Sequence, residues 1–65
     1  MIVRIDTIGP TPGLAGATVR IPSESLVRII EYPIKVKAST LKIGQHYCFF
    51  GDSSHVGEIS NVVME

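Results

Sequence analysis

Ala17-Thr18-Val19-Arg20-Ile21 is the stretch on which the fold turns. Ala17, Val19 and Ile21 fall on one side of an extended chain, and Thr18 and Arg20 fall on the other. That is the two-residue period of a strand with one buried face. Gly16 precedes it and Pro22 stops it. The same pattern recurs on both sides. Over Ile2 to Ile8, Val3, Ile5 and Thr7 alternate with Arg4 and Asp6. That segment ends at Gly9-Pro10-Thr11-Pro12-Gly13, a run that cannot continue a ladder. Tyr32 to Ala38 reads as a strand entered through Pro33, with Ile34, Val36 and Ala38 inward and Lys35 and Lys37 in water.

Downstream, Ser39 to Gly44 is a connection and Gln45 to Phe50 a strand with Tyr47 and Phe49 on one face. Gly51-Asp52-Ser53-Ser54 is a turn. Gly57 to Met64 reads as the last strand, with Ile59 and Val63 on one face and Val62 and Met64 on the other. Neither face of it is polar throughout. Ser23 to Ile30 reads two ways: Ser23 can cap a short helical turn, with Leu26, Ile29 and Ile30 at helical spacing. Alternatively, the β-branched Val27, Ile29 and Ile30 make it a strand.

Composition agrees with strands. Val and Ile number sixteen against eight Leu, Ala and Met, and branched side chains favour a pleated surface. Sixty-five residues hold one domain, residues 1–65, with a small core. Yet 45% of the chain is hydrophobic, only 18% is charged, and the mean hydropathy is +0.31. Some apolar side chains are therefore expected to face a partner, a second copy included. Six Lys and Arg balance six Asp and Glu, which argues against a dedicated phosphate-backbone binder. No apolar run is long enough for a membrane span, and Met1 to Asp6 does not read as a signal peptide. The lone Cys48 forms no internal disulfide, which suits a reducing, cytoplasmic setting.

About five short strands in this length point to an all-β fold, a small barrel whose closure removes exposed edges. The landmarks resemble small SH3-like barrels of the KOW and photosystem I types. They are Gly13, Gly16 and Val19; Tyr32, Pro33, Ile34 and Val36; Phe49 or Phe50; and Glu58, Ile59 and Val62. The resemblance spans most of the chain, through short and degenerate motifs. It implies a non-catalytic module that binds protein, RNA or DNA, or docks on a larger assembly. The segment from Ser23 to Ile30 departs from it, because a short turn is expected there.

Four groups of residues carry candidate functions. Ile2, Ile8, Leu14, Val62 and Met64 escape a single alternating face and form the expected association surface, for a homo-oligomer or a protein partner. The loop from Thr7 to Thr18 is rich in Gly and Thr. Its Thr11, Gly13, Gly16 and Thr18, with Arg4 and Arg20, could cradle a small phosphorylated ligand or nucleotide, although it lacks the P-loop signature. Arg28, Tyr32, Lys35 and Lys37 suit single-stranded nucleic acid, which stacks on rings and pairs with cations. His46, Cys48, Asp52 and His55 lie within ten residues of one another, but their spacing lacks the paired pattern of a zinc site. No metal, cofactor or catalytic residue is expected. The expectation is a binding module, of the kind a phage or bacterium uses to modulate a larger machine.

Overall fold

The two ends of the chain pair with each other in the middle of a four-stranded antiparallel sheet. Its strands are β1 (Ile2–Pro10), β2 (Thr18–Pro22), β5 (His46–Cys48) and β6 (Val56–Met64), in the order β2-β1-β6-β5. A second, two-stranded sheet joins β3 (Leu26–Val27) to β4 (Val36–Lys37). The computed structural model describes residues 1–10 and 16–65. An Ile29–Tyr47 bridge links the sheets, and with it Ile30 N–H donates to His46 O at 3.0 Å and Cys48 N–H to Arg28 O at 3.0 Å. The result is a curled, all-β half-barrel with no helix among the described residues beyond 3-10 turns at Ala38–Thr40 and Phe49–Gly51.

Alternation decides the core. Val3, Ile5 and Thr7 of β1, Ile21 of β2 and Ile59 of β6 point inward and are buried. Val27, Ile29, Ala38 and Leu41 close over them. Each fully buried aliphatic side chain contributes about 1.5–3 kcal/mol. A register shift between Asp6 and Thr7 leaves Ser60 as an extra residue on β6, because Asp6 faces Asn61 while Thr7 faces Ile59. Such a bulge flips the phase of a strand. Ile59 and Val62 therefore both face the core, and Ile59 and Val63 do not share a face as the simple alternation predicts. This accounts for the absence of a polar face in the sequence of β6.

Residues 23–30 are a turn followed by extended chain, not a helix. Ser25 N–H closes the turn on Pro22 O at 3.0 Å. Ser23 donates its N–H to Met1 O and accepts from Ser39 N–H, so its backbone is committed to other segments. Val27 and Ile29 are buried while Leu26, Arg28 and Ile30 are exposed, a two-residue period. The strand expected over Tyr32 to Ala38 shrinks to Val36–Lys37. Ile34 does not turn inward and is 72% exposed. Ala38 is buried, but inside the 3-10 turn, where Thr40 Oγ1 donates to Lys37 O at 2.7 Å.

Candidate interaction surface

Apart from Met1, the most exposed large apolar side chains lie in the middle of the chain, away from the terminal strands. Phe50 is 86% exposed, Ile43 67% and Leu26 61%, and Ile30 and Tyr32 stand half out of the surface near Ile34 in sequence. Phe50 is also the one described residue other than glycine with positive φ, at 58°. Left-handed backbone costs a side-chain-bearing residue roughly 1–2 kcal/mol. The loop that carries it is clamped at its base. Phe49 N–H donates to His55 O at 2.7 Å, Asp52 N–H to Phe49 O at 3.0 Å and His55 N–H to Asp52 O at 3.1 Å. Ser54 N–H donates to Asp52 Oδ1 at 2.9 Å, and His55 Nδ1 lies 3.0 Å from Asp52 Oδ2. The Ser54 N–H, then the Ser54 hydroxyl and the His55 ring, hold the Asp52 carboxyl below its ordinary range. The Phe50 and His55 rings stand in a T-shaped arrangement, with centroids 6.0 Å apart.

Of the association residues read from the sequence, Ile8 and Met64 are about half exposed and Ile2 is partly covered. Val62 packs against the core, because the bulge turns it inward. Leu14 lies outside the described residues, as do Thr11 and Gly13 of the anion loop. The rest of that set comes together, but with acids. Arg4 and Arg20 face each other across β1 and β2, a like-charge pair that is unfavourable on its own. Glu65 answers both, 3.1 Å from Arg20 Nε and 3.9 Å from Arg4 Nη1. Asp6 lies 3.6 Å from Arg4 Nη2 and accepts from Thr18 Oγ1 at 3.0 Å. Two cations thus face two carboxylates, and Arg4 Nε is buried without a partner. Gly16, at φ 78°, donates its N–H to Thr7 O and does not point it into a nest.

Among the nucleic-acid candidates, Arg28, Tyr32 and Lys35 are exposed, while Lys37 is 3.0 Å from Glu24. The two histidines stand in separate clusters. His46 Nδ1 lies 2.6 Å from Glu31 Oε2, its N–H donates to Glu31 Oε1 at 2.9 Å, and its Nε2 is 3.8 Å from Glu58. His55 belongs with Asp52 and Ser54. Cys48 is buried between strands, and burial pushes its thiol up. No group of three metal-ligating side chains forms among the described residues, nor does any pocket. No helix among them is long and apolar enough to cross a membrane. Sequence reading missed Ile34 and Ile43 as surface features, and placed Phe50 with the basic residues as a base-stacking ring and not at a loop apex. Phe50 beside Gly51 was the available signal, since an aromatic next to a turn glycine marks a loop apex as readily as a strand end. No protein-family model, curated protein or solved structure matches the chain.

Proposed function

We propose that this chain is a non-enzymatic association module that self-assembles and presents an apolar loop to a protein partner. The observation that carries this reading is Phe50: a large ring, 86% exposed, held in left-handed backbone by a clamped loop. Strain of this kind persists where function repays it, and rigid, protruding aromatics are the usual anchors of protein interfaces. The neutral charge balance adds support, since copies of a chain with six cations and six anions do not repel strongly. So does the resemblance to small SH3-like barrels, an architecture that mostly binds. On that likeness, the module is an accessory part of a larger cytoplasmic complex in a phage or bacterium.

Sedimentation equilibrium up to millimolar concentration tests the self-assembly half. The expected mass exceeds the 7.0 kDa of one chain, and a single-chain mass throughout overturns it. A photoreactive phenylalanine at position 50 tests the loop. Cross-links from that position are expected to be lost when Phe50 sits in unfolded chain. Equal cross-linking in folded and unfolded protein would count against a specific anchor.

A further inference from the structure

β2 is an outer strand of the four-stranded sheet. Among the described residues β2 pairs only with β1. Thr7 N–H donates to Ala17 O and Ser23 N–H to Met1 O, which fixes the phase of that pairing. Antiparallel ladders alternate their bonding direction, so Val19 and Ile21 bond toward β1. Thr18 and Arg20 therefore point their N–H and C=O groups away from the sheet. Pro22 has no N–H, and its C=O already accepts from Ser25. The open edge is two residues long and symmetric about Val19.

We infer that two copies pair antiparallel along this edge, with the two-fold axis through Val19. This rests on the self-association reading above. In that register Thr18 faces Arg20 of the other copy, and Arg20 faces its Thr18. Each such pair exchanges two backbone hydrogen bonds, so all four open N–H and C=O groups of each edge are satisfied. The side chains fit the same register. Thr18 already bonds Asp6 at 3.0 Å, so the incoming Arg20 arrives beside a carboxylate and not opposite its own counterpart. Charge pairs placed this way fix register. On the inner face, Val19 is only partly buried, and it meets its symmetry mate. The seam joins two four-stranded sheets into one of eight strands. A second register, one residue along, would oppose two bonded groups to two unbonded ones and satisfy neither.

The experiment is amide hydrogen exchange on the wild-type protein at low and high concentration, beside light scattering of two variants. The Thr18 and Arg20 amides are expected to exchange freely when dilute and to become protected as concentration rises. Arg20→Pro removes an outward N–H, a change an edge strand tolerates, together with the guanidinium that pairs with Glu65, which Arg20→Val also lacks. It is expected to halve the mass of the assembled protein, whereas Arg20→Val keeps the N–H and still assembles. If the wild type is heavier than one chain while both amides exchange freely at every concentration, the seam lies elsewhere and self-association stands. Assembly of Arg20→Pro equal to the wild type also places the seam elsewhere. A wild type of single-chain mass at millimolar concentration overturns the seam together with the self-association it rests on. If Arg20→Pro does not fold, the exchange pattern of the wild type decides alone.

Discussion

Gly57 shows how tightly one position can be fixed. A Cβ there would stand 2.8 Å from Phe49 Cε2 and 3.0 Å from Thr7 Cβ. Phe49 packs over this bare backbone, and Tyr47, which pairs with Gly57 across β5 and β6, meets the Phe49 ring edge-on at 5.2 Å. Overpacking of this kind costs about 1–3 kcal/mol. Gly57→Ala is therefore expected to lower the melting temperature by several degrees, at roughly 4–8 °C per kcal/mol for a chain of this size. Gly9→Ala is the control, because a Cβ there meets nothing within 4 Å. Equal melting temperatures for the two variants would refute the account. Sequence reading gave no hint of this. Gly57 looked like the start of a strand, and its role depends on an aromatic eight residues earlier that the turn at Phe49–Gly51 folds back over it.

At the scale of elements, the sequence was most legible where one face is buried and the other solvated, as in β1 and β2. It was least legible where a bulge shifts phase, as at Ser60, or where a segment is held by groups distant in sequence. The stretch from Arg28 to Glu31 is the second kind, and its attachment to β5 sets a pH dependence. Partial desolvation, the largest single influence on Glu31, works to raise its carboxyl. The His46 backbone N–H, the His46 ring and Glu31's own N–H together outweigh it and hold the group below its ordinary range. A carboxyl whose pKa is lower folded than unfolded adds stability above its unfolded value. That contribution disappears as pH falls through the folded value. Asp52, lowered by Ser54, acts in the same direction. Acidification from about pH 5 to pH 2 is thus expected to loosen both clasps. The His46 amide resonance reports the first, moving with pH in the wild type and staying flat over that range in Glu31→Gln. A wild-type profile that matches the variant would show that the carboxylate does not hold the segment.

For the molecule as a whole, size and openness act together. A domain of about 60 residues buries only about 60% of the surface its unfolded chain exposes, and this one is a half-barrel whose β2 pairs on one side only among the described residues. The all-β class was legible because sixteen Val and Ile residues impose it. The candidate surface was only half legible, because apolar content alone does not distinguish inward from outward once bulges and turns break the period. Ile34 and Val62 exchanged their expected environments for that reason. If two copies pair along β2, association is linked to folding, and stability depends on concentration. For a folded dimer that unfolds to two chains, each tenfold rise in concentration favours the assembly by about 1.4 kcal/mol per dimer. Shared between two chains of this length, that is expected to raise the melting temperature by about 3–5 °C per tenfold. Calorimetry across a hundredfold range checks it. The slope is expected in the wild type and in Gly57→Ala, where the seam is intact but the core is strained. It is expected to vanish in Arg20→Pro, whose chains unfold one at a time. A melting temperature independent of concentration in all three would mean that this small core sustains the fold unaided, and that the exposed apolar side chains serve a different partner.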